Sequence, residues 1–429
     1  MLNLFSKTTS WMVASLLATT VAISAQDTTK GRPQKTYEQG HEVEKNQLMP
    51  AYNAPASISV RCSWDVYATG SFLYWQARED NLELGIASNG DPLIPGGPFL
   101  PNPFDYSPAT AVPFVNPMTE GRTINANYSY GPGFKLGLGM NLDYDNWDAY
   151  AEYTWFHKTS NTHYDLEADC DCEEPDNRWI FPTRIMPVGL TTGLDSDRAY
   201  KSVDQSWNVK MDFLDLSLSR AYYSGTKLSF RPFYGVRGAW IRQKLDTYYS
   251  GQAAGVIDPL TGVATAVSVR DDLNSDQYGS IRSWGVGPRA GFESNWMLGC
   301  GFRLIGDVSA DILYTRYNVK TVGAINATYS TDGSFVPPLL VATGFSQGTL
   351  HQKHLDVLRP HADMEIGFGW GSYFDNSNWH FDLLATYGYQ VFWNQNMFRF
   401  FSESHSGRSI NATGNLYVHG LTLTARFDF

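Results

Sequence analysis

Charge is scarce in this chain. Asp, Glu, Lys and Arg make up 17% of its 429 residues, against roughly 25% in ordinary soluble domains. Long apolar runs are missing too. The longest near either terminus, Trp11–Ile23, is too short to cross a bilayer as a helix. Mean hydropathy is −0.30, which excludes a bundle of membrane helices. The formal charge of −11 offers no basic footprint for nucleic acid. P-loop, serine-elbow and zinc-helix motifs are absent, as is any repeat of fixed period, so neither metal nor cofactor is expected. Aromatics, by contrast, reach 14%, and there are 38 glycines. A chain rich in both, low in charge and still mildly polar is what alternating β-strands produce.

The apolar run at the N-terminus has a different use. Lys7 precedes it and Ser24-Ala25 follows, before the chain turns polar at Gln26. A basic start, a short apolar core and a small-residue exit predict a secretory signal peptide over 1–25. Residues 26–63, polar and broken by Pro33, Pro50 and Pro55, read as a periplasmic lead-in that touches the cell wall or a barrel floor.

From 64 to 429 the dominant signal is alternation at period two. In Trp379–Trp393 one face carries Trp379, Phe381, Leu383, Tyr387, Tyr389 and Trp393, and the other His380, Asp382, Thr386 and Gln390. That segment rises about 32 Å when tilted, the height of a bilayer, with a Trp at each rim. The pattern recurs in ten segments, the weakest being Trp64–Gln76 and Trp207–Leu218; the latter reads as slipping phase near Phe213-Leu214, as a bulge would cause. Short links (Asp143–Asn146, Arg220–Thr226, Asn295–Gly301, Gly371–Asn378) alternate with long ones. That rhythm predicts an all-β, transmembrane, antiparallel up-and-down barrel in a bacterial outer membrane, with short periplasmic turns and long extracellular loops. Its strand number is even. Ten strands are clear, and further hairpins in Val256–Val269 and Val319–Val341 would take the count towards sixteen. Pro232, Pro288 and Pro360 predict bulges or strand ends.

A closed ring needs its last strand to seam to its first. "GLTLTARFDF" at Gly420–Phe429 presents Leu421, Leu423, Phe427 and Phe429 on one face, and it resembles the signal read by the barrel-assembly machinery. The inward face is then lined by Lys135, Asp148, Glu152, Lys210, Asp212, Arg231, Arg237 and Arg289, together with Glu293, Arg303, Asp307, Asp311, Asp363, Glu365, Asp382 and Arg426. In a wide barrel these opposed charges set a transverse field across water; in a narrow one they pair and plug the lumen. Strand number decides between the two.

The stretches "WDVYATGSFLYWQAREDNLELG" at Trp64–Gly85 and "GPGFKLGLGMNL" at Gly131–Leu142, with the aromatic C-terminus, resemble the Legionella-type major outer membrane protein family, which also includes porins of environmental chlamydiae. The resemblance implies an abundant porin, passing small hydrophilic solutes and ions by diffusion and serving as a structural envelope protein, with no catalytic residue to carry over. The alternative is a closed barrel acting through its loops as an adhesin or structural component. Its expected surroundings are outer-membrane lipid and lipopolysaccharide, with homo-oligomers or a disulfide-linked envelope network as further partners. Of the four cysteines, Cys62 and Cys300 both fall on the periplasmic side and could staple the lead-in to the barrel, whereas Cys170 and Cys172 lie in an outer loop, where intermolecular links or free thiols are the alternatives. His351, His354 and Asp356, and His405 with Ser406, are the groups an outer-membrane hydrolase would need, but nearness in sequence does not make a triad.

Overall fold

Alternation becomes a wall when successive side chains face two solvents and every backbone group finds a neighbour. The computed structural model describes residues 52–58, 60, 65–88, 121–142, 146–166, 179–184, 200–257, 264–270, 274–328, 343–401 and 409–429. Ten long strands form the wall: β1 (Val66–Glu79), β2 (Tyr130–Asn141), β3 (Trp147–Asp165), β4 (Ser202–Arg220), β5 (Leu228–Ser250), β6 (Asn274–Gly299), β7 (Phe302–Thr328), β8 (Thr343–Phe374), β9 (Trp379–Asn396) and β10 (Gly414–Asp428). Each pairs antiparallel with its chain neighbours, and β10 pairs with β1 from Leu416↔Glu79 to Asp428↔Tyr67. The ring is closed. The terminal segment is therefore a seam, with Leu421, Leu423, Phe427 and Phe429 on its outward face.

The two faces differ as the pattern requires. Leu138 and Phe368 are 65% and 63% exposed, whereas inward Leu73 is fully buried. On β6, Trp296 stands near the short-turn end and Trp284 near mid-strand on the outward face, bracketing a rise of about 28 Å at barrel tilt. Around the short-turn rim Trp379 packs edge-on against Phe427 at 5.1 Å, part of an aromatic girdle. The turns there are tighter than the sequence suggested. Strands β6 and β8 run on to Gly299 and Phe374, and Gly299, Cys300 and Gly301 turn the chain with φ of +115°, +52° and +83°. A short strand, Tyr52–Pro55, pairs with Tyr222–Ser224 in the link after β4, so the lead-in does meet the barrel floor.

Three expectations need correction. Strand β4 keeps one phase from Val203 to Ser219, with no bulge at Phe213. Lys210 and Asp212 therefore face outward, away from the lumen. Nor does the ladder shift at the prolines. Pro232 lies just beyond the β4–β5 pairing while still opposite Phe292, Pro360 just beyond the β8–β9 pairing while opposite Ile312, and the β6–β7 ladder passes Gly287 and Pro288 without changing register. Each proline sits where a ladder is already ending or interrupted, so its missing N–H costs little. The hairpin expected at Val256–Val269 is present as Gln252–Ile257 paired with Ala264–Arg270, but outside the wall. Of the second expected hairpin, Val319–Val341, the part up to Thr328 lengthens β7, and residues 329–341 lie outside the described residues.

Leu138→Arg places a cation in mid-wall on the lipid side. Its expected effect is a loss of about 2–4 kcal/mol, read by urea unfolding in lipid vesicles, with Leu73→Ala as the inward comparison.

Candidate functional site: the barrel lumen

Odd-numbered positions of β5 and β6, and even-numbered positions of β9 and β10, project inward, and a ten-strand ring brings them within reach of one another. Nearest the short-turn end, Arg231 Nη2 donates to Asp148 at 2.5 Å, and its Nη1 faces Glu293 at 3.5 Å. Arg303 forks onto both oxygens of Asp382 at 2.9 and 2.8 Å. Arg426 binds Asp428 while lying 3.7 Å from the centre of the Tyr67 ring, and His380 approaches the same carboxylate at 3.3 Å.

Mid-height, charge is concentrated further. Arg237 donates to the two oxygens of Asp215 at 2.6 and 2.7 Å and to Asp311 at 3.0 Å. Arg289 bridges Asp215 and Asp363 at 3.0 and 3.2 Å. His361 Nδ1 stands 2.7 Å from Asp311. Lys135 lies between Glu152 and Glu365 at 3.7 and 3.5 Å; Tyr150 donates to Glu152 and Thr386 to Glu365. Bidentate geometry and secondary donors are what a buried ion pair needs to offset desolvation. Water still reaches the lower tier, where Glu293 is 28% exposed, while Asp311 is fully buried.

Towards the long-connection end the interior turns apolar. Trp75, Phe156, Trp207, Phe213, Leu245 and Phe392 form one buried cluster. Phe213 on β4 stacks on Phe392 of β9 with centroids 5.5 Å apart, and these strands are diametrically opposite in the ring. Gln243 on β5 donates to Glu79 on β1 at 2.9 Å. The walls therefore touch across the centre. After β9 the chain itself turns inward: Phe398 is fully buried and lies so close to Gly279 of β6 that a Cβ there would meet its ring at 2.8 Å. Asn396 ties this segment to Asp80 O at 2.8 Å, and Gln395 accepts from the Tyr317 hydroxyl at 2.7 Å.

Residues 59–429 match the family described as Legionella pneumophila major outer membrane protein precursor. The chain belongs to that family. Its place in the bacterial outer membrane follows from the family and from the closed barrel. No curated protein matches the chain. Among solved structures it is similar to the outer membrane protease OmpT of Escherichia coli (8% identity, 87% of this chain and 99% of that one, TM-score 0.29) and to the CymD monoaromatic hydrocarbon channel (10%, 86% and 89%, 0.26). It is also similar to a Pseudomonas aeruginosa FadL homologue (8%, 85% and 89%, 0.22).

In this member of the major outer membrane protein family, the lumen gathers every predicted lining residue except Lys210 and Asp212. Asp307 also faces inward, opposite Glu293 and Glu365 in the ladders on its two sides. Asp215, Glu79, His361, His380 and Asp428 were missing from the predicted lining. Carrying the odd phase of β4 past Phe213 would have found Asp215. The apolar upper tier escaped notice because rows such as Trp155-Phe156 put one large apolar residue on each face. Cys300 is exposed in its turn, while Cys62, Cys170 and Cys172 lie outside the described residues, as do His405 and Ser406. Asp356 is held by Arg316 through two hydrogen bonds, at 2.7 and 3.0 Å, and His351 and His354 are exposed nearby on β8.

Arg237→Ala leaves Asp215 and Asp363 to share Arg289 and leaves Asp311 with His361 as its remaining partner, and is expected to cost about 3–5 kcal/mol. Adding Asp215→Asn and Asp363→Asn should restore part of that loss, a pattern that unfolding in micelles checks directly.

Proposed function

We propose that this protein is a porin whose described conformation is the closed state: ions and the smallest hydrophilic solutes cross when the apolar constriction withdraws. The observation that carries this reading is the division of labour inside the lumen. Charged groups of both signs, partly wetted, line the lower half, and such walls orient ions and polar solutes. A major part of the block above them comes from Met397–Phe400, a segment that has left the wall and can move without breaking the ring. Burial of Phe398 stabilises the closed state by about 2–3 kcal/mol, an amount that thermal fluctuation or a ligand can overcome. Membership of the major outer membrane protein family adds support.

A second reading has its own observation. Phe213 meets Phe392, and Gln243 meets Glu79, wall to wall. If those contacts never part, the barrel is a closed structural or surface protein acting through its long connections. No catalytic role is proposed: Asp356, beside His351 and His354 on β8, is held by Arg316.

Planar bilayers distinguish the two. A gated porin shows brief, small conductance steps, and Phe398→Gly with Phe400→Gly raises the open time at least tenfold. Folded, heat-modifiable protein that stays silent in both forms establishes the structural reading.

A further inference from the structure

The outward face of the wall changes character over consecutive rungs at its long-connection end. Trp155, Asp212, Trp240, Trp284 and Arg316 stand side by side on β3 to β7 in ladder register. One rung further towards the long-connection ends of the strands are His157, Lys210, Arg242 and Arg282, and the rung beyond adds Lys244 and Lys320. Adjacent strands lie ~4.8 Å apart, so Lys210, Arg242 and Arg282 line up within about 10 Å. Like charges directly opposite one another destabilise a sheet. Asp212 offsets part of this: it accepts from Arg242 at 2.8 Å and from the Tyr153 hydroxyl at 3.0 Å, with His157 at 3.2 Å. Lys210, Arg282, Lys244 and Lys320 make no ion pair with any described residue. The carboxylates of Asp246 and Asp276 face outward only further still from the tryptophan row.

Height identifies what completes this patch. Trp240 and Trp284, paired on β5 and β6, mark the outer interface there, where indole rings sit at headgroup level, and Arg242 and Arg282 stand one rung beyond them. Below them the outward face of β4 and β5 is apolar and exposed, carrying Leu214, Leu216, Leu218, Tyr234 and Val236.

We propose that the outward face of β4, β5 and β6 around Lys210, Arg242 and Arg282 is a binding site for the phosphorylated headgroup of an outer-leaflet glycolipid. The two guanidinium groups offer forked donors to phosphate oxygens, Lys210 adds a point charge, and the lipid removes the repulsion that the bare wall carries. The site is independent of whether the lumen conducts.

The test uses the full-length protein in micelles, titrated with bis-phosphorylated lipid A and with the same lipid after enzymatic dephosphorylation, binding being read by native mass spectrometry. Wild type is expected to hold the phosphorylated lipid at least tenfold more tightly than the dephosphorylated one, with a preference that shrinks as salt screens the charges. Lys210→Gln/Arg242→Gln/Arg282→Gln abolishes the preference, Arg282→Gln alone weakens it without disturbing the Asp212 pair, and Lys227→Gln at the opposite rim leaves it unchanged. Retained heat-modifiability certifies each variant's fold. Equal binding of the two lipids by wild type, or undiminished preference in both the triple and the single variant, would overturn the site. Displacement of the lipid by an equal concentration of inorganic phosphate would also overturn it, as the mark of a general anion patch.

Discussion

The structure depends on a single constraint: inside hydrocarbon no backbone N–H or C=O can be left without a partner. Strands satisfy it only by closing, and here the ring closes when Gly414–Asp428 pairs with Val66–Glu79. Everything inside follows from the number of strands that closure takes. Ten strands leave a bore that side chains from opposite walls can span, so inward charges cannot remain separate solvated groups. They must find each other, and Arg237 accordingly touches carboxylates from β4, β7 and β8.

The interior solves the packing problem in two different ways. Below, it uses pairs and triads in which carboxylates have a fork of guanidinium donors or a hydroxyl in addition. Above, it uses aromatic rings that need no partner, including rings delivered by a segment leaving the end of β9. The polar tier is a demanding arrangement, because removing one member leaves its neighbours charged and dry. The apolar tier tolerates truncation more gradually. That difference makes the upper tier the place where a lumen could open and the lower tier the place where solutes could be sorted.

Much of this was legible in the residues. Period-two alternation in Trp379–Trp393 or Gly420–Phe429 records a two-solvent wall directly, because lipid and lumen impose opposite preferences on neighbours. The rhythm of short and long links then orients the barrel. Legibility failed where both faces carry similar residues. In Trp207–Leu218 the inward row is itself apolar through Phe213, so an imagined phase slip moved Lys210 and Asp212 into the lumen and hid Asp215. Outward Asp212 also defies the simple rule because it is paired with Arg242 and accepts a hydrogen bond from the Tyr153 hydroxyl. The closing contacts across the bore, such as Gln243 to Glu79, connect positions far apart in the chain, and no local pattern announces them.

The central claim is that the two walls meet across the bore. It is tested most directly by a double-mutant cycle on Phe213→Ala and Phe392→Ala, with unfolding free energies measured in the same lipid. Stacked rings on opposite strands require a coupling of about 0.5–1.5 kcal/mol. Strict additivity of the two substitutions would mean the rings do not touch, and that the lumen is wider than ten closed strands allow.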